Sequence, residues 1–342
     1  MEVAITGAAG FLGQYAVAAV LGRGYKVRAI MRPDTDLGAI AWRDHPAVAV
    51  VRADLTETAG LTEAIAGVEV LVHLAAAKTG PWGHQRTVTV WGTDNLCAAA
   101  LAVGVRRWIA ISSFSVYGYG PLRSGALLDE TTPLEQHPRD RDAYGRAKLA
   151  QENVFNHYRD IHGAEVTILR PGIIYGPGAL WNASLGAEIK GRRIWVDSGA
   201  TLPLIYVEHC ADAIACAIAH PEAAGQVVNL VDDDLPTQRT YRRAIAQQDP
   251  TWRGGLTIPW GPLRLKAGAI AAIAKLLGQR DRLPGLLVPA RLDARFKPLR
   301  YSNDRAKQLL HWSPTYDFAT ALDRSLNPRE PQAIKPPAPQ SP

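Results

Sequence analysis

The sequence predicts an α/β fold: a doubly wound parallel sheet with a smaller C-terminal substrate-binding lobe. Three observations carry that expectation. Apolar strand-like runs alternate with helical patterns through residues 1–175, glycines cluster where the first run meets the first helix, and the alternation breaks after Pro171 into glycine- and proline-rich sequence. A chain of 342 residues suffices for one large α/β domain and a lobe. The expected spans are 1–175 for the first and 176–326 for the second, with 205–219 returning to the first.

Each element has its own signal. The apolar run 2–6 reads as a buried strand, followed by a helix over 10–23 and a second strand over 25–31. Further strands are expected at 47–52 and 69–74, with a helix over 58–66 between them. A long helix over 85–103 leads to a strand at 107–112, and a helix over 143–162 precedes a strand at 165–170. Repeated βαβ units of this kind close as a doubly wound sheet with right-handed crossovers. A final helix is expected at 303–310, and the proline-rich end from 327 has the composition of a disordered tail.

Composition narrows the class. The formal charge is +6, but the basic residues are scattered, and the densest stretches, 280–282 and 291–300, read as solvated surface. No nucleic-acid partner is expected. Cys97, Cys210 and Cys216 have no metal-ligand spacing and sit in alanine-rich helical contexts, so reduced core thiols and no metal are expected. The start of the chain lacks the pattern of a signal peptide, and no run approaches the roughly 18 apolar residues of a membrane span. A cytoplasmic location is expected.

The first strand runs into Thr6-Gly7-Ala8-Ala9-Gly10-Phe11-Leu12-Gly13. Glycines here let the turn tighten and let backbone N–H groups approach a pyrophosphate, while the helix N-terminus offers partial positive charge to the anion. The spacing is Gly-x-x-Gly-x-x-Gly, whereas the ordinary Rossmann-type dinucleotide fold has Gly-x-Gly-x-x-Gly. The loop resembles that of the extended short-chain dehydrogenases/reductases. The resemblance implies that Gly7, Gly10, Phe11, Leu12 and Gly13 bind a nicotinamide dinucleotide. Asp54-Leu55 is similar to the family's pair at the adenine, and Leu74-Ala75 to the loop lying along the cofactor; His73 beside them reads as a packed core histidine. After the second strand an acid would favour NAD, but this chain has Met31-Arg32-Pro33. Arg32 can pair with the extra phosphate of NADP, so NADP(H) is favoured over NAD(H).

Tyr144-Gly145-Arg146-Ala147-Lys148 carries the chemistry. On a helix, positions four apart share a face, so phenol and ammonium address one pocket. A phenol with pKa near 10 is a poor base at neutral pH, and nearby positive charge lowers it. It then takes a proton from a substrate alcohol as hydride leaves, and returns it in reduction. Tyr117 is the competing tyrosine, without a lysine one turn later. The segment Ile111-Ser112-Ser113-Phe114-Ser115-Val116-Tyr117-Gly118 resembles the family's serine signature. Its register selects Ser113 as the hydroxyl on the reacting oxygen, with Ser112 and Ser115 as neighbours able to take the role.

The likeness continues through Leu169-Arg170-Pro171-Gly172, where Pro171 is implied to pack near the nicotinamide, through Tyr206-Val207-Glu208-His209-Cys210-Ala211-Asp212-Ala213, and into 305–314 with its Trp-x-Pro ending. In the helix after the fourth strand, Thr89 stands where the family often has an asparagine that supports the lysine through water. Many nucleotide-sugar epimerases and dehydratases of the family place an arginine before the Tyr-Val segment, and this chain has Leu202-Pro203-Leu204-Ile205 there. Arg192, Arg193 and Arg300 are the possible substitutes. Segments 258–277 and 294–303 resemble the 3β-hydroxysteroid dehydrogenases, which act on apolar alcohols and ketones. A dehydrogenase or reductase of a largely apolar small molecule therefore ranks first, a nucleotide-sugar enzyme second, and a dinucleotide-sensing regulator last. Trp181, Asn182 and Trp195 read as packing residues. The apolar stretch 265–277 has three readings: it packs on the lobe, caps a pocket, or rests peripherally on a membrane surface. A homodimer is implied by the resemblance alone.

Overall fold

Val3, Ala4 and Ile5 are wholly buried, which requires sheet neighbours on both edges and helices on both faces. The computed structural model, which describes residues 1–277 and 285–328, supplies them. In chain order the first half contains β1 (Glu2–Thr6), α1 (Phe11–Gly22), β2 (Lys26–Met31), β3 (Val48–Arg52), α2 (Leu61–Ile65), β4 (Val70–His73), α3 (Trp82–Gln85), a π-helical turn at Arg86–Trp91, α4 (Gly92–Ala102), β5 (Arg107–Ile111), the short β6 (Leu127–Leu128), α5 (Ala143–His162) and β7 (Glu165–Pro171). The second half contains β8 (Ile173–Tyr175), β9 (Gly186–Ile189), β10 (Arg192–Asp197), β11 (Leu204–Tyr206), α6 (Val207–Ala219), β12 (Val227–Leu230), α7 (Gln238–Gln248), β13 (Leu256–Pro259), α8 (Trp260–Leu276), α9 (Pro289–Phe296), β14 (Arg300–Tyr301), α10 (Asp304–Leu310) and α11 (Phe318–Leu326).

The main sheet has seven strands in the order β12-β7-β5-β4-β1-β2-β3, all parallel. Its order reverses between β1 and β4, and ligands of such sheets bind at the carboxyl ends beside that switch. One face is covered by α1 and α6, which pack on each other, and the other by α2, α4 and α5. A three-stranded sheet β13-β10-β9 and the pair β8–β11 belong to the second half, and the pair β6–β14 joins the two halves.

Several expectations need correction. The helix expected over 58–66 shrinks to α2 because Gly60 and Gly67 both adopt left-handed φ, 79° and 78°, and bracket it. The helix expected over 85–103 starts earlier, at Trp82, and carries the π turn. Val227–Leu230 lies within the span expected to form the lobe, yet it supplies the seventh strand: Val228 and Leu230 are wholly buried against β7. A helix follows the one expected to be last. In α11 the Asp317 side chain accepts from the Thr320 N–H at 2.9 Å, and Ala321 and Leu322 bury one face. Of the tail, only Asn327 and Pro328 lie within the described residues, and the basic stretch 280–282 lies outside them. All three cysteines are buried and free. No helix among the described residues is long and apolar enough to cross a membrane.

The C-terminal helices are clamped to the main core by His209. Its Nδ1 meets Asp232 Oδ1 at 2.8 Å, while Nε2 accepts the backbone N–H groups of Thr315 and Tyr316 at 3.2 and 3.1 Å. Two donors on Nε2 assign the proton to Nδ1, which donates to Asp232. Trp312 Nε1 donates to the His209 carbonyl at 3.1 Å.

His73 performs a similar task between layers. Its Nδ1 meets Thr6 Oγ1 at 2.7 Å and its Nε2 meets Thr93 Oγ1 at 2.9 Å, joining β4 to β1 and α4. Burial, with a smaller push from the Lys148 charge, lowers its pKa to about 3. The unfolded chain, with an imidazole near 6.5, takes up the proton first. Stability contributed by neutral His73 is therefore full above about pH 6.5 and is lost as pH falls toward about 3. We expect urea unfolding to show the wild type losing about 1.4 kcal/mol more per pH unit below that point than His73→Gln does. Parallel pH profiles would contradict the assignment.

Candidate active site

The glycine loop sits at the carboxyl end of β1. Gly7 has φ +69°, and a Cβ there would lie 3.0 Å from Ala75 N, so the loops after β1 and β4 touch backbone to backbone. A Cβ at Gly13 would fall 2.1 Å from the Gly7 carbonyl oxygen, which closes the start of α1 onto the turn. Gly10 donates its N–H to the Gly7 carbonyl at 2.9 Å and opens α1 with no side-chain cap and no acid in the first turn. The first-turn N–H groups thus face an anion without competition from a carboxylate, and the cradle fits a pyrophosphate. Leu12 turns its side chain into the core, and the Phe11 ring lies against Gly176, leaving the backbone of both in the helix start.

After β3, Asp54 Oδ1 accepts from the N–H and hydroxyl of Thr56, both at 2.8 Å, fixing that loop. Leu55 rests against Gly92 of α4, and its carbonyl accepts from Asn95 at 3.0 Å. Leu74 and Ala75 are half-buried beside Gly7. Arg32 projects from the end of β2, three-quarters exposed, with Asp34 at 3.6 Å. The neighbouring Arg52 is committed: its Nη1 donates to the carbonyls of Arg32, Pro33 and Thr35 and ties down that loop.

Asp142 caps α5, accepting the Gly145 N–H at 2.9 Å, and so sets where the helix begins. Tyr144 and Lys148 follow on one face. The Ser113 hydroxyl lies near the Tyr144 phenol. Burial raises the phenol above its ordinary pKa, the Ser113 hydroxyl pulls it back, and the Asp142 charge adds to the rise. The other two serines are placed differently. Ser112 donates to Glu152, and the buried Ser115 hydroxyl has no hydrogen-bond partner among the described residues. Tyr117 is withdrawn from the site: its hydroxyl donates to Asn229 at 2.6 Å and accepts from Arg170 at 3.1 Å, and burial pushes it up to about 12.

Lys148 is buried, and its Nζ donates to the Ile111 carbonyl and to Gln151 Oε1, both at 2.8 Å. Burial lowers its pKa to about 7, with Glu152 opposing. Gln151 Nε2 donates to Thr93 Oγ1 at 2.8 Å, which joins the lysine to the His73 network. Thr89 is occupied elsewhere, accepting the Ala77 N–H at 3.0 Å. The lysine's support therefore comes directly from Gln151, a residue the sequence reading passed over. Its signal was the i, i+3 spacing from Lys148.

Beyond β7, Pro171 is buried, and Gly172 passes so close to β11 that a Cβ would meet the Pro203 carbonyl oxygen at 2.1 Å. Leu202 and Leu204 are buried in the core. Trp181, Trp195 and Trp252 form a cluster with centroids 5.5–5.9 Å apart, and Arg193 lies 4.9 Å over the Trp252 ring. Arg193 also donates to the Thr251 carbonyl at 2.8 Å, and Arg300 to the Gly125 carbonyl at 3.1 Å. Two of the three arginines considered for a substrate phosphate are thus tied to backbone.

Comparisons with known proteins agree with this geometry. The sequence model of the NAD dependent epimerase/dehydratase family matches residues 3–230. UDP-glucose 4-epimerase of Vibrio cholerae is 30% identical over 258 residues, covering 72% of each chain. The 3 beta-hydroxysteroid dehydrogenase/Delta 5-->4-isomerase of Mycobacterium tuberculosis is 27% identical over 351 residues, covering 95% of this chain and 89% of that one. Among solved structures, UDP-glucuronic acid 4-epimerase from Bacillus cereus in complex with NAD superposes with TM-score 0.72 at 20% identity over 98% of each chain, a likeness of fold. The chain belongs to the NAD-dependent epimerase/dehydratase family, and is an enzyme of the extended short-chain dehydrogenase/reductase type.

Proposed function

We propose that this enzyme moves a hydride between NAD(P) and a hydroxyl or carbonyl carbon of a largely apolar, sterol-like substrate, with Tyr144 as general acid and base. The observation that carries it is the pairing of Tyr144 with buried Lys148 one turn along the same face of α5, with Ser113 at the end of β5 beside the phenol. The nicotinamide supplies hydride acceptance or donation. Ser113 donates to the substrate oxygen and holds it beside the phenol. Tyr144 takes the hydroxyl proton in oxidation and gives it back in reduction. Lys148, oriented by Gln151 and the Ile111 carbonyl, favours the phenolate by its charge and binds the nicotinamide ribose.

The glycine loop and the α1 N-terminus would hold the pyrophosphate, Asp54 and Leu55 the adenine, Leu74 and Ala75 the length of the cofactor, and Pro171 the nicotinamide side. Arg32, exposed at the end of β2, suits the 2′-phosphate of NADP(H). Residues 176–326, apart from the segments that rejoin the main sheet, would form the substrate side. Leu202 and Leu204, buried where a phosphate-binding arginine would stand, favour an apolar substrate. The alternative, a nucleotide-sugar epimerase or dehydratase with tightly held cofactor, draws on a cavity of about 400 Å³ lined by Trp195, Arg239, Arg242 and Arg243. Its arginines are partly spent: Arg239 pairs with Asp197 at 2.6 Å, and Arg242 donates to the Arg253 carbonyl at 3.2 Å. The retained tyrosine and lysine speak against a sensor without turnover. Buried free thiols suit a reducing cytoplasmic compartment, and a homodimer through α5 is the assembly the resemblance implies.

Tyr144→Phe is expected to lower turnover on the order of 10²–10⁴-fold while leaving dinucleotide affinity within a few-fold. Steady-state kinetics with fluorescence titration of the cofactor check this, and unchanged turnover would remove Tyr144 from its role. Arg32→Ala is expected to weaken NADP(H) binding by about 10–100-fold and NAD(H) binding hardly at all. Equal losses, measured by calorimetry, would remove the NADP preference.

A further inference from the structure

An ordinary surface helix turns its large apolar residues inward. Helix α8 does so only in its first turn, where Trp260 and Leu263 pack on the lobe; beyond that its packed side is alanine. Ala267 and Ala274 are buried, Ala267 in a cluster with Val196, Leu292 and Phe296. From Leu265 on the large residues point outward: Leu265, Ile270, Ile273, Leu276 and the adjoining Leu277 are 77, 38, 57, 87 and 65% exposed. Positions 265, 269, 272, 273 and 276 follow helical spacing along one stripe, and Ala269 and Ala272 are exposed within it. Single exposed leucines are ordinary, whereas a contiguous stripe marks a surface that something covers. Packing on the lobe accounts for the alanine side and leaves the leucine side unexplained.

Charge identifies the cover. From Pro250 to Arg280 the sequence holds Arg253, Arg264, Lys266, Lys275 and Arg280, and no aspartate or glutamate. Arg264 is spent on Asp293, at 2.7 and 3.0 Å, while Lys266 is exposed at the edge of the apolar stripe. A lysine among leucines suits a headgroup layer, where its stem lies in apolar surroundings and its ammonium reaches lipid phosphate. The strands beside α8 have the same character. Leu256 of β13, the strand that runs into α8, and Ile189 of β9 are 63 and 48% exposed. Both line an open depression together with Lys190, Arg192 and Arg193, which outnumber its one carboxylate, Glu188.

We propose that α8 docks this enzyme on the surface of an anionic lipid bilayer, lying in the interface with its leucine stripe toward the acyl chains. The proposal stands on exposure and charge. The apolar-substrate reading gives it a purpose, since an apolar alcohol partitions into lipid, but the test uses no turnover and so separates the two.

The experiment is sedimentation of the purified full chain with vesicles of phosphatidylcholine alone, or of phosphatidylcholine and phosphatidylglycerol in roughly a two-to-one ratio. Binding to the anionic vesicles is expected to exceed binding to the neutral ones by about tenfold and to fall with added salt. Ile273→Glu with Leu276→Glu, and separately Lys266→Glu, are expected to lower it by about tenfold, with circular dichroism and thermal unfolding unchanged. Failure of the wild type to sediment with either vesicle overturns the proposal, as does binding by both variants equal to the wild type. A wild-type dimer that Ile273→Glu dissolves, with no vesicle binding, makes the stripe a contact between two copies and overturns it as well.

Discussion

Helix α5 is welded to the sheet by a buried charge pair. Arg170 of β7 donates through Nε and Nη2 to the two carboxylate oxygens of Glu152, at 2.9 and 2.7 Å, and both side chains are almost fully buried. Removing two charges from water is costly, and a buried pair is tolerated only where its remaining hydrogen-bonding capacity is met. Here it is met. Ser112 donates to the carboxylate, and the third guanidinium nitrogen donates to Tyr117, whose hydroxyl reaches Asn229 of β12. The ends of β5, β7 and β12 are therefore held against one stretch of α5. Tyr144 and Lys148 lie on that helix, Ser113 follows β5, and Pro171 ends β7. The relative placement of every candidate catalytic group depends on this weld.

The electrostatics of the site follow from the same burial. Lys148 loses hydration and falls to about 7, with one of its protons given to Gln151 and another to the Ile111 carbonyl. Tyr144 is raised by burial and only partly drawn back by Ser113. In the protein alone the phenol is thus held protonated, the form that donates in reduction. The sequence pattern implies that the neighbouring ammonium, together with an oxidised nicotinamide cation, lowers the phenol pKa; burial of the phenol opposes both.

Much of this was legible because it depends on short-range rules. The glycine loop, the Tyr-x-x-x-Lys helix and the alternation of strands are local patterns, and α5 spans the very residues its periodicity indicated. What escaped depends on distant partners. Val227–Leu230 is too short to declare its sheet, and only pairing with β7 places it there. Gln151 looked like one more polar residue on a long helix until the fold brought Thr93 beside it. Ser113 was separable from Ser112 and Ser115 only by register, whereas the fold sets Ser113 near Tyr144, commits Ser112 to Glu152 and leaves the Ser115 hydroxyl without a partner among the described residues. The outward stripe of α8 could not be told from an inward one, because periodicity defines a face without saying which way it points.

The most direct test of the proposed oxidoreductase is the state of the cofactor in freshly purified protein, read by absorbance and by mass spectrometry of what denaturation releases. A dehydrogenase or reductase of an apolar substrate must exchange its dinucleotide every cycle. The account predicts protein that loses any dinucleotide on dialysis and rebinds NADP(H) freely. A dinucleotide that survives dialysis and leaves only on denaturation would contradict it, and would identify an epimerase or dehydratase that regenerates its cofactor within each turnover.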